Sequence, residues 1–309
     1  MSGLVNRIIH GDCFEVSQQI ASGSVDLVVT DPPYGTMNGF NGIDWDFAIN
    51  PADLFEVADR ILRQNGKLVL FSQEPYTSRL ITGAHPNLPF SYKMIWEKDH
   101  FANALLVKKA PVSLYEDILV FSKTYDTANI HPLRVYFSEV RDFIGLTKKE
   151  IIDEIGQRAD HVFRTNSSQF ALCAEETYNA LIDKFGIDRM KGFKTYEELQ
   201  EIDRKYGRGV FNLWEGGKYK SNILRYKKDY DGYHPTQKPV ALLEDLIKTY
   251  SNEGDLVVDL TCGSGSTCVA AANTGRQFIG IERERGYVKI ANKRIEEALQ
   301  AQASKAGAK

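Results

Sequence analysis

The stretch that most constrains this chain is Val25–Gly35, which reads Val-Asp-Leu-Val-Val-Thr-Asp-Pro-Pro-Tyr-Gly. Its apolar run favours a buried strand, and the two prolines can neither extend a central strand nor continue into a regular helix. The chain must therefore turn, which leaves Asp31 and Tyr34 at the strand's carboxyl end, where open α/β folds place their ligands. This pair suits a flat, amino-bearing ring, with Asp31 accepting a hydrogen bond and Tyr34 stacking. A Pro-Pro turn with an incidental acid is the alternative.

Strand and helix patterns alternate through most of the chain. Short apolar runs followed by polar turns and amphipathic segments are typical of βαβ units, so we predict an α/β fold with a mostly parallel sheet and helices on both faces. The predicted strands are 7–10, 26–30, 67–71, 92–97, 116–122, 256–260 and 277–281. The predicted helices are 14–20, 51–63, 76–83, 147–155, 175–185, 196–205, 239–250, 267–273 and 287–299. The segment 35–46 is predicted to be a loop that can close over a substrate.

The pattern changes between residues 139 and 215, where apolar strand runs give way to charged helical segments. One helix is predicted to begin after Thr147, because Glu150 three positions on completes a capping box. We expect residues 139–215 to be a helical insertion in the α/β core or a small separate subdomain.

A second group of functional residues follows the strand 256–260. Asp259 precedes a turn with Gly263 and Gly265, a helix follows, and the next strand leads to Glu282. Glycines let the backbone approach a ligand, the helix amino end presents N–H groups, and the later acid can accept both ribose hydroxyls. The pattern predicts a nucleotide-type ligand. A glycine turn that serves only packing is the alternative.

Three ligands could use such a turn. No lysine precedes Ser266-Thr267, so the phosphate of a P-loop ligand would lack its counter-charge. Cys268 replaces the third glycine of a dinucleotide site, which weakens the case for NAD. An adenosyl ligand without phosphates needs only the close turn and the ribose acid, so S-adenosylmethionine fits best.

Composition limits the partners and the compartment. A formal net charge of −3 provides no global basic field, so contact with nucleic acid would need a local basic face. The four cysteines and the histidines show no metal-ligand spacing, and no metal is predicted. Without a signal-peptide pattern or an apolar run of membrane-spanning length, we expect a soluble cytoplasmic protein with no membrane partner.

Three motifs together resemble one family. Asp31-Pro32-Pro33-Tyr34, His234-Pro235-Thr236-Gln237-Lys238-Pro239 and Asp259 with Gly263-Ser264-Gly265 stand in this order. They resemble the amino-methylating DNA methyltransferases of the permuted β group, which are site-specific DNA methylases of prokaryotes and phages. The resemblance implies the Rossmann-like fold of an S-adenosylmethionine-dependent methyltransferase. It also implies a catalytic half at 1–138 and a cofactor-binding half at 216–309. Because sequence-specific methylation needs a reader of the DNA, the insertion at 139–215, which the resemblance does not cover, is the candidate target-recognition region.

The resemblance implies roles for individual residues. The catalytic motif is Asp31, Pro32, Pro33 and Tyr34, in which Asp31 and the Pro32 carbonyl hold the exocyclic amine of a flipped-out base and Tyr34 stacks on it. The implied cofactor-binding residues are Asp12, Cys13, Thr236, Gln237, Lys238, Asp259, Gly263, Gly265 and Glu282. Among these, the partner of Asp12 and Cys13 is left open between the base and the cofactor adenine. Thr236, Gln237 and Lys238 are expected at the methionine end, and Glu282 at the ribose.

One departure from the family concerns the residues before the glycine turn. The family usually has Asp-Pro-Phe there, whereas this chain has Asp259-Leu260-Thr261, which puts one cofactor-packing contact in doubt.

The implied reaction is methyl transfer from S-adenosylmethionine to the exocyclic N6 of adenine in double-stranded DNA. In the family, an acid before Pro-Pro-Tyr usually goes with adenine and a serine with cytosine, so Asp31 favours adenine. Methylation of cytosine N4, of RNA or of a protein amide are the enzymatic alternatives. A DNA-binding regulator with an inactive methyltransferase fold is an alternative of a different class.

DNA contact is predicted at two places. The insertion faintly resembles a helix-turn-helix, beginning at Leu146 and ending at Gly186, with a plain helical cap as the alternative. Basic residues cluster just before His234, and a solvated charged loop is the alternative reading of that cluster. The predicted DNA-binding residues are Lys218, Lys220, Arg225, Lys227 and Lys228. The sequence leaves open a homodimer, a companion restriction nuclease, a phage or prophage origin and the recognition sequence.

Overall fold

The structure is a computed structural model. It describes residues 3–35, 48–102, 107–109, 111–126, 131–167, 169–207, 209–213, 217–229, 232–233 and 237–306. The predicted closing loop at 35–46 lies outside the described residues except for Gly35, and Thr236 of the predicted cofactor site also lies outside them.

The regular elements follow the predicted alternation. The strands are β1 (Arg7–His10), β2 (Val25–Thr30), β3 (Leu62–Ser72), β4 (Phe90–Ala102), β5 (Ser113–Ser122), β6 (Ile223–Arg225), β7 (Leu256–Asp259) and β8 (Gln277–Glu282). The helices are α1 (Cys13–Ser17), α2 (Pro51–Ile61), α3 (Tyr76–Thr82), α4 (Pro132–Ile144), α5 (Lys148–Ile155), α6 (Glu175–Phe185), α7 (Tyr196–Tyr206), α8 (Val240–Tyr250), α9 (Ser266–Asn273) and α10 (Arg285–Ala306). Short 3₁₀ turns lie at Gln157–Ala159 and Ile187–Arg189. The sequence pattern missed α4 and the three-residue strand β6.

The eight strands form one sheet in the order β1-β8-β7-β2-β3-β5-β4-β6. The pairings are parallel except those of β5, which is antiparallel to both β3 and β4. Because β5 runs against the others, its amino-terminal half lies at the same sheet edge as the carboxyl ends of β2, β3 and β4. The predicted α/β fold with a mostly parallel sheet is confirmed.

Helices cover both faces of the sheet because the side chains of a strand alternate between its faces. Val28 of β2 packs in a cluster with residues of α1, α2 and α3. Its neighbours Leu27 and Val29 pack in a second cluster, with residues of α8, α9 and α10. All six residues of β2 are buried, as expected for a central strand of a parallel sheet.

Residues Arg63–Asn65 and Tyr125–Arg208 form a separate compact unit, and the remaining described residues form the unit that contains most of the sheet. The helical unit has its own core, which includes Leu133, Phe137 and Val140 of α4. The predicted boundaries of 139 and 215 therefore differ from those of the structure. The predicted boundary at 139 cuts through α4, whose apolar residues belong to the helical core.

The capping box at Thr147 and Glu150 is present at the start of α5. The predicted helix-turn-helix is not formed by α5 and α6, however. Such a motif joins its two helices by about three or four residues, whereas α5 ends at Ile155 and α6 begins only at Glu175.

Candidate active site

Asp31 lies directly after β2, where Pro32 and Pro33 end the strand. The Tyr34 hydroxyl donates a hydrogen bond to Asp31 Oδ1, and the Lys238 ammonium donates one to Oδ2. Burial raises the pKa of Asp31, and Lys238 only partly opposes this effect. The two predicted motifs that contain Asp31 and Lys238, far apart in sequence, therefore meet at one carboxylate.

Lys238 also contacts a second carboxylate that the sequence reading did not include. Its Nζ lies 3.3 Å from Oε2 of Glu116, a residue near the start of β5. The other oxygen of Glu116 accepts hydrogen bonds from Lys98 at 2.8 Å and from Gln73 at 3.3 Å. Burial by itself would lower the pKa of Lys238, but Asp31 and Glu116 outweigh it and raise the pKa.

Tyr34 is held so that its ring and its hydroxyl face different partners. Its ring centre lies 5.9 Å from that of Tyr76, with 33° between the planes. Burial, Asp31 and Glu116 raise the pKa of Tyr34 well above its usual value, so the hydroxyl stays a hydrogen-bond donor. The Pro33 carbonyl accepts a hydrogen bond from the Ile49 amide at 3.4 Å, which holds the turn against the residues before α2.

Asp259 is the last residue of the neighbouring strand β7, which pairs in parallel with β2. Its Oδ1 accepts hydrogen bonds from the Thr30 hydroxyl at 2.8 Å and the Thr261 amide at 3.1 Å. The Thr261 hydroxyl in turn donates to the Asp31 carbonyl at 3.0 Å. Asp259 thus ties the ends of β2 and β7 together, and burial raises its pKa to about 6.

The glycine turn between β7 and α9 is bound to the end of β8. The Gly263 amide donates to Glu282 Oε2 at 2.8 Å, and the Glu284 amide donates to Oε1 at 2.7 Å. Gly265 has φ +82°, and a Cβ there would lie 2.8 Å from the Ala291 Cβ, so only glycine fits. The structure therefore brings Gly263 to Glu282 and packs Gly265 against α10, and the binding of a cofactor by these residues stays a prediction.

Asp12 and Cys13 lie at the start of α1. The Asp12 carboxylate accepts a hydrogen bond from the Phe14 amide at 2.8 Å and so caps the helix. The Gly11 amide donates to the Glu282 carbonyl at 3.0 Å, which places this turn beside the end of β8. Cys13 is buried, and burial raises the pKa of its thiol to about 12, so it stays protonated.

Gln237 and Lys238 are adjacent in sequence but reach different parts of the site. Gln237 Oε1 accepts a hydrogen bond from the Ser264 hydroxyl of the glycine turn at 3.4 Å. Its Nε2 is buried and has no hydrogen-bond partner among the described residues. Gln237 therefore has a donor available beside the turn, whereas the Lys238 ammonium is at Asp31 and not at the turn.

Arg294 of α10 is a further residue that the sequence reading missed. Its Nη1 donates to the Ser264 carbonyl at 2.8 Å and to the Ser264 and Ser266 hydroxyls at 3.0 Å each. Its guanidinium lies 4.8 Å from the ring centre of Tyr233. The sequence signal that could have indicated it is the place of this arginine on the apolar face of an amphipathic helix, together with Ala291 and Ile295.

The predicted DNA-binding residues differ in their surroundings. Lys218 and Lys227 are exposed, and so is Arg225, whose Nε lies 3.0 Å from Glu97 Oε2. Lys220 is instead half-buried and pairs with Asp245 of α8. Lys228 is half-buried too, and burial lowers its pKa, with Lys98 adding to the effect. Lys220 therefore anchors its segment to α8.

The fold and site define a class of protein. A mostly parallel sheet carries an acidic Pro-Pro-Tyr turn and a glycine turn on adjacent strands, which is the arrangement of the predicted methyltransferase fold. A family model for N6 and N4 enzymes, described as DNA methylase, matches residues 25–293. The chain belongs to this DNA methylase family, which confirms the predicted resemblance and the predicted class of enzyme, an S-adenosylmethionine-dependent DNA methyltransferase.

Two curated relatives match almost the whole chain. The chain is 28% identical over 296 residues to the DNA adenine methyltransferase YhdJ of Escherichia coli (strain K12), covering 94% of this chain and 83% of the relative. It is 26% identical over 302 residues to the type II methyltransferase M2.DpnII of Streptococcus pneumoniae, covering 94% and 89%. Both similarities span the two halves of the core and the region between them.

Solved structures share the fold. The M1.HpyAVI–SAM complex has a TM-score of 0.52 at 21% identity, covering 94% of this chain and 98% of that one. The cytosine-N4-specific PvuII DNA methyltransferase has a TM-score of 0.52 at 15% identity, covering 95% of this chain and 90% of that one.

In the part of the chain that the structure describes, no helix combines the length and apolar character needed to cross a membrane.

Proposed function

We propose that this DNA methylase transfers a methyl group from S-adenosylmethionine to the exocyclic N6 of a flipped-out adenine at a specific site in double-stranded DNA. The observation that carries the proposal is the Asp31 carboxylate, oriented by Lys238 and Tyr34 at the end of β2. The Thr261 hydroxyl bonds the Asp31 carbonyl at 3.0 Å, so the acid lies beside the turn after β7. An amine at Asp31 would therefore lie next to a ligand bound at that turn.

The residues around the turn fit S-adenosylmethionine. The buried Nε2 of Gln237 offers a donor that the described residues leave unused, which suits the ligand's carboxylate. Glu282, held at the end of β8 by the Gly263 and Glu284 amides, suits the ribose hydroxyls. When bound, the cofactor supplies an electrophilic methyl group on a sulfonium. The neighbour solved as a SAM complex supports this choice.

Asp31 makes the target amine nucleophilic. The lone pair of an exocyclic amine is delocalised into the ring, and hydrogen bonds from its N–H groups to Asp31 and the Pro32 carbonyl favour a pyramidal nitrogen. Burial raises the pKa of Asp31, which makes its carboxylate a better acceptor for the amine proton that is released. Positioning and electrostatic complementarity supply the rest of the catalysis.

The base must leave the duplex, because its amine is inaccessible in stacked DNA. In this proposal Tyr34 stacks on the extruded base, and such stacking is worth about 1–3 kcal/mol.

We propose that Lys218, Arg225, Lys227 and Lys228 contact backbone phosphates and that residues 125–208 contribute to target recognition.

The DNA substrate and the bacterial relatives support a place in the bacterial cytoplasm. The type II relative of Streptococcus pneumoniae supports a restriction–modification role.

The test is a product analysis. The wild-type chain and Asp31→Ala are expressed in a methylation-deficient bacterium, and nucleosides of the host DNA are measured by mass spectrometry. We expect N6-methyladenine with the wild type only, and long-read sequencing of the same DNA gives the recognition site. N4-methylcytosine would show that the base assignment is wrong. Methylation that persists with Asp31→Ala would remove Asp31 from the mechanism.

A further inference from the structure

We propose that Glu116 is a positioning residue for methyl transfer, which receives the ammonium of Lys238 when the target amine takes its place at Asp31. This inference rests on the proposed function, since it requires that Asp31 accepts the amine. It adds a second carboxylate to the site and gives Lys238 a role at the base.

Both oxygens of Asp31 are engaged in the structure. Tyr34 donates to Oδ1 and Lys238 to Oδ2, so an amine that approaches the carboxylate from the side of either donor must displace that donor. Of the two, Lys238 has a second acceptor nearby. Its Nζ already lies 3.3 Å from the buried Glu116 Oε2, within ion-pair distance, so this oxygen can take more of the ammonium when Asp31 is occupied.

Burial makes this second acceptor necessary. The Lys238 side chain is 6% exposed and that of Glu116 is 10% exposed. A buried ammonium that lost its carboxylate partner would be strongly unfavourable. With Glu116 in place, a small movement of Nζ replaces one charged acceptor by another, and the buried charge stays paired throughout.

The topology explains how Glu116 reaches Asp31. Because β5 is antiparallel, its residues 113–117 lie at the sheet edge where β2 and β4 end. Lys98 near the end of β4 donates to Glu116 Oε1 at 2.8 Å, and Gln73 after β3 donates to the same atom at 3.3 Å. These bonds hold Oε1 and leave Oε2 facing Lys238.

The charge of Glu116 also affects Asp31 directly. Its carboxylate raises the pKa of Asp31, as a like charge does for any acid. The titratable and charged groups that face this pair from the surrounding elements are Tyr34, Lys98, Lys228, Lys238 and Asp259. Removing the charge of Glu116 should therefore lower the pKa of Asp31 while Lys238 binds Asp31 more tightly.

The experiment compares Glu116→Gln with Asp117→Asn, a matched control. Asp117 is the next residue of β5, is also buried, and points to the other face, where its carboxylate pairs with Lys93 at 3.1 Å. For each variant, KM for DNA and the pH profile of kcat/KM are measured at saturating S-adenosylmethionine, with cofactor affinity and thermal unfolding as further readouts.

We expect Glu116→Gln to raise the KM for DNA about tenfold, because Lys238 then competes with the target amine for Asp31. The acidic limb of kcat/KM, along which activity is lost as Asp31 becomes protonated, should move about one pH unit lower. Cofactor affinity should stay at the wild-type value, and Asp117→Asn should change neither KM nor the limb.

A folded Glu116→Gln with wild-type KM and an unmoved limb would overturn the inference. If Glu116→Gln does not fold, Glu116→Asp provides the test. This variant keeps the charge, so the acidic limb of kcat/KM should stay at its wild-type pH. Its shorter side chain should no longer reach Lys238, so KM for DNA should rise. A limb that moved lower with Glu116→Asp, or an unchanged KM, would contradict the proposal. A wild type that methylates no amino group of DNA would instead defeat the proposed function.

Discussion

Two aspartates at equivalent places in the sheet have opposite surroundings. Asp31 follows β2 and Asp259 ends β7, and these strands are neighbours. The Asp31 side chain is 24% exposed and contacts the charged Lys238 and Tyr34, whereas Asp259 is buried and bonds only neutral groups of Thr30, Thr261 and Thr267 among the contacts described. Position at the carboxyl edge of a sheet therefore does not by itself give two acids the same surroundings. What matters is whether its oxygens can be reached and its partners can move.

The largest expected difference between the two acids is in catalysis. Asp31→Asn should lower kcat about 10³-fold, because the amine loses its charged acceptor, while cofactor affinity stays within about twofold of the wild type. Asp259→Asn should keep more than about a tenth of the wild-type kcat, since its role is to join strand ends. Radiolabelled methyl transfer and calorimetric cofactor titration measure the two quantities. Equal losses of kcat would remove the distinction between the acids.

The next difference is in stability as a function of pH. The pKa of Asp259 is about 6 in the folded chain, above the ordinary value of 3.8. The folded state then binds this proton more tightly than the unfolded state, so the contribution is complete below about pH 4 and is lost as the pH rises through 6. Urea unfolding should show the wild type losing about 2–3 kcal/mol more than Asp259→Asn between pH 4 and pH 7. If the free energy of unfolding changed with pH in the same way for both proteins, the raised pKa of the buried Asp259 would be contradicted.

The smallest expected effect applies the same contrast to two lysines. Lys227 is exposed, whereas Lys220 pairs with Asp245 of α8. Lys227→Gln should reduce the slope of log K for DNA against log salt by about one, because one phosphate contact is lost. Lys220→Gln should leave the slope unchanged and lower the unfolding temperature instead. Fluorescence anisotropy over a salt series tests both, and a smaller slope for Lys220→Gln alone would reverse their roles.

Local signals located most of the core in advance. Apolar runs with polar turns predicted β1, β2, β7 and β8 to within a residue or two, because buried parallel strands have few ways to satisfy their backbone groups. The prolines after Asp31 and the glycines at 263 and 265 marked the two turns for backbone reasons that are local. Strand β6 was missed because its three residues are too short to show a period.

The contacts between distant segments were not predictable in this way. Glu116 reads as a charged residue at the edge of an apolar run, and only the antiparallel direction of β5 brings it to the edge of the sheet where β2 ends. The family resemblance predicts that Lys238 lies at the cofactor, in the same segment as Gln237. Successive side chains of an extended segment point in different directions, however, so the two residues reach different partners. The pattern around residue 139 likewise did not show that α4 packs into the helical core.

The amino-acid sequence by itself determined the order of strands and helices, the two turns and the acid that follows β2. These depend on side-chain period, on proline and on glycine, which act over a few residues. Only the tertiary structure decided that Asp31 is held between Tyr34 and Lys238, and that Glu116 stands behind Lys238. It also decided that Asp259 is enclosed. The ion pairs of Lys238 with Asp31 and Glu116 join segments that are far apart in the sequence, and only the packing of the folded chain sets which of them meet.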